Sequence, residues 1–410
     1  MIFRILFLFG ILLTIELYAY QAVKTLLKWK WSLHIYQFLS IALLIYIVYS
    51  IFQFDRSVGQ TQKSLITMAV FLLVYIPKIT LCLVMLGEDI FRLGNGVVNY
   101  FINNDNQNHF PNRRKFVSQI GLGLAAVPFL SLLYGIFEGR YNFKVIKQAI
   151  FFPDLPEDFD GFTITHISDI HSGSFDNFEK INYAVDLINQ QNSDILLFTG
   201  DIVNAKAEEM EPWITTFNRL IKPEFGKFSI LGNHDYGAYL EWKSEEAKVK
   251  NFEAIKDLHR QIDFKLLLNE NVKIKKNETK IAIVGVENWG KHFGKMGNIA
   301  QASKGIEAKD FKILMSHDPS HWEEEVKSHA KNFQLTLSGH THGMQFGIEI
   351  PGVFKWSLAQ YVYKQWAGLY ENVGRYIYVN RGFGFHAYPG RVGIMPEITV
   401  ITLKKGKNVA

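Results

Sequence analysis

A single cysteine, Cys82, in a chain of 410 residues excludes an intrachain disulfide and a cysteine-built metal cluster. Neither sign of charge dominates, since 44 Lys and Arg stand against 39 Asp and Glu. The basic residues are scattered rather than gathered in one stripe, so nucleic acid is not an expected partner. There is no internal repeat and no low-complexity segment. What the chain has in excess is apolar: 48% of residues are hydrophobic and 33 are Phe, mostly gathered before residue 140. The length exceeds the usual domain size of about 100 to 200 residues. Two units follow, a transmembrane region over 1–140 and a soluble domain over 141–410.

A helix needs about 20 largely apolar residues to cross the hydrocarbon core, where nothing else can satisfy its backbone. Four segments qualify, at about 2–20, 34–53, 65–87 and 119–137. The first carries only Arg4 and Glu16, and the third only Lys78 beside Pro77. Membrane lipids are therefore expected partners and the protein is expected to be multi-pass. Lys and Arg near the helix ends are balanced across the two sides, so orientation rests on another feature. Asn112-Arg113-Arg114-Lys115-Phe116-Val117 precedes the fourth apolar run and resembles a twin-arginine export signal. It puts the soluble domain on the extracytoplasmic side, with a cytoplasmic face as the alternative. No small-residue cleavage site follows, so a retained anchor is expected.

From residue 150 short apolar runs alternate with polar helical stretches, the texture of strands and helices packed in layers. Strands are expected over 162–168, 194–199, 227–231, 280–286, 312–316 and 334–338. Asp176 or Asn177 can cap a helix to about Gln190, in which Ile181, Ala184, Val185 and Ile188 recur at helical spacing. The lysine-rich stretch 241–279 reads as coil with helical pieces. The fold class is α/β: central sheets flanked by helices, behind an N-terminal bundle of about four transmembrane helices.

Metal-competent residues follow the strands in order: Asp169 and His171; Gly200-Asp201; Gly232-Asn233-His234-Asp235; His317; and Gly339-His340-Thr341-His342. Singly, a Gly-Asp after a strand is usually only a turn. Together, side chains at the carboxyl ends of neighbouring strands converge on one crevice. Carboxylates, imidazoles and one amide oxygen suit Mn, Fe or Zn better than Ca or the most thiophilic metals. If two ions are held, Asp201 is the natural bridge, because it has no histidine clamp of its own. His166, inside a strand, reads as a core histidine. Arg381, in a glycine-rich stretch after another strand, could clamp a substrate phosphate, with a surface ion pair as the competing reading. His386, Tyr388 and Arg391 of the same loop could border the pocket.

This motif series, from about Leu155 to Leu403, resembles that of the calcineurin-like metallophosphoesterases. The resemblance implies two divalent metal ions, one held by Asp169, His171, Asp201 and His342 and the other by Asp201, Asn233, His317 and His340. It further implies that His234 contacts the phosphoryl group and assists the leaving group, oriented by Asp235. The segments 155–171 and 363–398 are similar to a membrane-associated bacterial branch that includes UDP-diacylglucosamine hydrolases. Met344 departs from that branch, which commonly has a second glycine after Gly343.

The function expected is a membrane-anchored hydrolase of a phosphodiester or lipid-linked pyrophosphate, in a lipid or cell-envelope precursor. Hydroxide, formed from water that two metal ions would make acidic, would attack phosphorus directly. The alternatives are a broad-specificity phosphatase or nucleotide phosphodiesterase and, more remotely, a non-catalytic membrane sensor or scaffold, whose usual mark, missing ligands, is absent.

Overall fold

A computed structural model of the protein describes residues 2–102, 113–350 and 353–407. The chain forms two compact units, one built from residues up to Phe54 with Lys63–Ile136, the other from Asp55–Gln62 with the chain from Phe137 onward.

The first unit is four helices, α1 (Ile2–Leu26), α2 (Lys30–Phe52), α3 (Gln62–Ile102) and α4 (Arg113–Phe137). Each contains a window long and apolar enough to cross a membrane. Small residues let the backbones approach: Ala19, Ala22 and Ala125 are buried with Leu81 and Met85. Inside this bundle Lys78 donates to both carboxylate oxygens of Glu16 at 2.7 Å and to Ser40 at 2.8 Å. The third helix was expected to stop near 87, where charge interrupts the apolar run, yet it continues to Ile102. At 41 residues it is about 60 Å long, some twice the hydrocarbon thickness. The interrupting charges are paired: Asp89 with Arg92 at 2.9 Å and Arg114 at 3.2 Å, and Glu88 with Arg113 at 3.6 Å. Both arginines of the twin-arginine-like run thus serve as ion-pair partners, while its Asn112 lies outside the described residues.

The second unit is a two-sheet sandwich. One sheet has β1 (Lys144–Phe152), β2 (Thr163–Ile167), β3 (Ile195–Phe198), β4 (Lys227–Ser229), β5 (Lys265–Leu266) and the last strand, β14 (Glu397–Lys405). The other has β6 (Glu270–Lys276), β7 (Thr279–Gly285), β8 (Phe311–Met315), β9 (Leu335–Ser338), β12 (Gly368–Asn372) and β13 (Arg375–Val379). Between them in sequence, β10 (Gly347–Ile350) and β11 (Phe354–Ser357) form a separate hairpin. The first sheet runs β1-β14-β2-β3-β4-β5, with β2 to β5 parallel. The second runs β12-β13-β9-β8-β7-β6, with β13, β9, β8 and β7 parallel.

Alternation of side chains makes the core. In β7, Ile281 and Ile283 enter the layer between the sheets, where Ile164, Leu197 and Leu337 meet them. Ala282 and Val284 point the other way, against Trp322, Val326 and Phe333. Each fully buried aliphatic side chain contributes about 1.5 to 3 kcal/mol relative to leaving it exposed. The helix α5 (Phe178–Asn189) is capped by Asn177, whose side chain accepts from the Lys180 N–H at 3.0 Å, and it buries Ile181, Ala184, Val185 and Ile188. The stretch 241–279 is more regular than its composition suggests. It holds one helix over Glu245–Gln261, capped by Ser244, whose narrow buried stripe of Ile255, Leu258 and His259 is hard to see among lysines and glutamates. What matters for chemistry is that β2, β3, β4, β8 and β9 are parallel within their sheets and release their loops at the same ends.

Candidate metal centre

Each strand end turns sharply into a loop carrying a ligand-type residue. Five of the seven candidate ligands, Asp169, His171, Asp201, His340 and His342, have positive φ between 48° and 72°. That left-handed conformation is uncommon for residues with a Cβ and is tolerated where surrounding structure over-determines it. The Asp169 N–H donates to the Gly200 carbonyl at 2.9 Å and the His171 N–H to the Asp201 carbonyl at 3.0 Å, locking the first two loops together. Gly339 has no alternative, since a Cβ there would overlap Ser168 and Asp169.

Among the described residues, three groups of ligand atoms result, two of them built wholly from the candidate ligands. Asp169, His171 and His342 lie mutually within 4.8 Å, as do Asp201, His317 and His340. Asp201 Oδ2 joins the groups, at 3.6 Å from His171 Nε2 and 3.1 Å from His317 Nε2. His342 Nε2 stands 3.3 Å from Asp169 Oδ1. Asn233 Oδ1 is 2.7 Å from His340 Nδ1 and 3.1 Å from His317 Nε2. Its amide nitrogen donates to Tyr239 at 2.7 Å, which turns the oxygen inward.

The residues fit divalent cations. His342 Nε2 is buried without a hydrogen-bond partner, and two fully buried carboxylates, Asp169 and Asp201, demand positive charge between them. Burial alone would push the His317 imidazole down. The carboxylates of Asp201 and Asp169 outweigh it and raise His317 to about 10. Asp201, despite burial, is held well below the usual carboxylate range by His317 and His234. An all-nitrogen and oxygen donor set of this kind suits Mn, Fe or Zn.

Outer contacts fix the rings. His317 Nδ1 meets the Thr199 carbonyl at 2.7 Å, and His171 Nδ1 meets Asn204 Oδ1 at 3.0 Å, leaving each Nε2 toward Asp201. His340 Nε2 contacts the Tyr363 hydroxyl at 2.8 Å, with Asp318 Oδ2 at 3.5 Å. Sequence reasoning missed Asn204, Tyr239, Asp318 and Tyr363. Asn204 and Asp318 had a signal, lying three residues past Asp201 and one past His317 in the same loops.

His234 lies outside both groups of candidate ligands. Its Nδ1 donates to the Asn204 carbonyl at 2.7 Å, and its ring sits 4.9 Å from His171, 4.5 Å from His386 and 4.6 Å from Tyr239. The role expected of Asp235 needs correction. Asp235 does not orient the His234 ring; its carboxylate accepts backbone N–H groups of Gly232 at 2.8 Å and of Asp201 and Ile202 at 2.9 Å. One step along the short helical turn His234–Tyr236, its side chain points into the protein and ties the Asp201 loop to the Asn233 loop.

Arg381 also needs correction. It is buried, with Nη1 on Glu397 and Nη2 on Glu349, each at 2.5 Å, so its terminal nitrogens serve an internal ion-pair network rather than a phosphate clamp. Its neighbours divide. His386 stacks on His171 at 5.0 Å and groups with His171 and His234. Tyr388 stacks on Phe346, and Arg391 is fully buried, donating to the carbonyls of Gly382 and Gly384 and touching His342 Nδ1 at 3.1 Å. His166 is a core histidine bonded to Thr199 at 2.9 Å.

Residues 162–344 match the calcineurin-like phosphoesterase family, and residues 2–140 match the family described as probable calcineurin-like phosphoesterase, transmembrane domain. The chain is 30% identical over 253 residues to the uncharacterized metallophosphoesterase YkuE of Bacillus subtilis, covering 61% of this chain and 82% of that one. It is 26% identical over 280 residues to a transmembrane protein with metallophosphoesterase domain of Danio rerio, covering 67% of this chain but only 60% of the relative. An uncharacterized metallophosphoesterase of Campylobacter jejuni is 24% identical over 422 residues, 99% of this chain and 98% of that one.

Proposed function

Because the chain belongs to the calcineurin-like phosphoesterases and is a membrane protein, a metal-dependent phosphoester hydrolase, we propose that it cleaves a phosphodiester or pyrophosphate bond in a lipid or cell-envelope precursor. The observation that carries the reading is the convergence of seven ligand-type side chains from five loops, with Asp201 at their junction. Residues 1–140 serve as the membrane anchor and 141–410 as the catalytic domain.

Asp169, His171, Asp201 and His342 would hold one divalent ion, and Asp201, Asn233, His317 and His340 the other. Bound there, such ions supply Lewis-acid charge for the phosphoryl oxygens and acidify water. His234 acts from outside these ligands. With Nδ1–H committed to the Asn204 carbonyl, Nε2 is the atom left to face the departing oxygen; the ring would give its proton there as the imidazolium and return to the neutral Nδ1–H form, a contribution typically worth about 10² to 10⁴ in rate. Tyr239 and His386 flank that ring and confine it. Asp235 acts at one remove, holding the Asp201 and Asn233 loops in register.

The test is Mn-dependent hydrolysis by the detergent-solubilised full-length protein, across a phosphomonoester, a phosphodiester and a UDP-linked diacylated sugar. Preference for the acylated, UDP-linked substrate supports the lipid assignment and a cytoplasmic site, since an extracytoplasmic domain has no direct access to cytosolic nucleotide-linked precursors. Cleavage of only the simple esters replaces it with a broad-specificity phosphatase or nucleotide phosphodiesterase. The twin-arginine-like run favours an extracytoplasmic catalytic domain. Val373 is 90% exposed, so a Val373→Cys, Cys82→Ser protein labelled by an impermeant maleimide in whole cells supports that side, and protection supports the cytoplasmic one.

A further inference from the structure

The hairpin β10–β11 is amphipathic in the reverse of the usual sense. Ile348 lies opposite Trp356 and Ile350 opposite Phe354, so these four share one face, and Glu349 and Lys355 share the other. The polar face is the anchored one. Glu349 accepts from Arg381, while Lys355 donates to the Ala367 carbonyl and lies over the Trp366 and Tyr370 rings at 5.1 and 4.8 Å. The apolar face looks outward, with Ile348, Ile350 and Phe354 each more than half exposed, and the next turn continues it with Leu358, Tyr361 and Val362.

Ile348, Ile350 and Phe354 stand together on one face of one hairpin, and a contiguous exposed apolar patch marks an interaction surface. The turn that follows the hairpin is tied to the metal centre at both ends. The Ser357 hydroxyl donates to the Gly343 carbonyl at 2.6 Å, one residue past His342, and Tyr363 meets His340 at 2.8 Å.

The four helices of membrane-spanning length keep a bilayer within tether of this domain. Trp356 and Tyr361 are of the amphipathic aromatic type that settles at headgroup depth. We propose that the outer face of this hairpin and the turn after it seat in the interfacial layer of the bilayer, and pass a lipid phosphoester to the His340–Tyr363 edge of the site. The seating stands on the hairpin alone; the hand-over rests on the phosphoesterase reading above.

The test uses full-length protein carrying Cys82→Ser and Val353→Cys, since Val353 is 80% exposed beside Phe354. It is labelled with an environment-sensitive fluorophore in vesicles of phosphatidylethanolamine and phosphatidylglycerol containing brominated acyl chains, with Val373→Cys as the water-facing control. Strong bromolipid quenching at 353 but not at 373 is expected. Equal iodide quenching at both with no bromolipid effect overturns the seating, and so does protection of 353 that depends on protein concentration in detergent, which assigns the face to a second copy. The variant Ile348→Ser/Ile350→Ser/Phe354→Ser should cleave a soluble phosphodiester at the unaltered rate while losing about tenfold on a UDP-linked diacylated sugar in the vesicles. Equal rates on both, relative to the unaltered protein, overturn the hand-over. An unaltered protein inactive on every ester overturns the phosphoesterase reading instead, and quenching still decides the seating.

Discussion

His234 gives its Nδ1–H to the carbonyl oxygen of Asn204 at 2.7 Å, not to a carboxylate. A carbonyl oxygen can only accept, so this contact fixes the ring through its Nδ1–H and leaves Nε2 as the nitrogen directed away from it. His234→Gln should keep bound metal while turnover falls about 10² to 10⁴-fold. Asp201→Ala should lose metal as well, because Asp201 Oδ2 touches a histidine of each ligand group. Metal content by elemental analysis beside kcat checks this division; equal metal loss in both variants refutes it.

Asp235 yields a contrasting expectation. Its two oxygens accept from four backbone N–H groups, those of Gly232, Asp201, Ile202 and, at 3.5 Å, Val203, and an amide in its place has one accepting oxygen. Asp235→Asn should therefore cost about 1 to 3 kcal/mol of stability from orphaned donors, with a parallel drop in metal content as the Asp201 and Asn233 loops lose register. Unfolding midpoint and metal stoichiometry measure both. A fall in kcat with stability and metal unchanged would instead mean that the residue acts on His234.

How much of this site could be read beforehand depends on which forces place each group. Asp169, His171, Asp201, Asn233, His317, His340 and His342 were legible because a strand end fixes a loop in space from local pattern alone. Tyr363 was not, since its hydroxyl reaches His340 only through the hairpin fold-back. Asp235 was misread because neighbours in sequence diverge in a tight turn, and Arg381 because its strand-end position says nothing about Glu349 and Glu397 arriving from elsewhere. The same holds for α3: the apolar run marks only its span to about 87, and the helix continues through Glu88 and Asp89, whose charges Arg113 and Arg114 pair from a distant part of the sequence.

Lys78 and Glu16 make a further case where partners decide the outcome. Both are nearly buried within helices of membrane-spanning length, and Lys78 also holds Ser40. Removing one partner strands the other charge in low dielectric, at a cost of about 3 to 5 kcal/mol, whereas replacing both with apolar residues of similar size is near neutral. Lys78→Met alone should lower the thermal stability of the purified full-length protein sharply, and Lys78→Met with Glu16→Leu should restore most of it. A double variant worse than the single one would show that the pair does more than balance charge.

Glu209 gives the pH dependence. Burial pushes its carboxyl up to about 7 against the pull of the Asn204 and Lys206 N–H groups, from an ordinary value near 4.5. Between those values the folded protein keeps a proton that the unfolded chain has lost. Stability from this group therefore falls as pH rises from 4.5 to 7 and is level above, a penalty on the order of 1 to 3 kcal/mol. Glu209→Gln removes the titration while keeping an oxygen to accept one N–H, so its advantage in unfolding temperature over the unaltered protein should be small at pH 5 and largest at pH 8. Comparing the two proteins at each pH cancels the changes in ligand protonation that both share. An advantage that is constant or shrinks with pH would mean that Glu209 is ionised in the folded protein and that its N–H donors outweigh its burial.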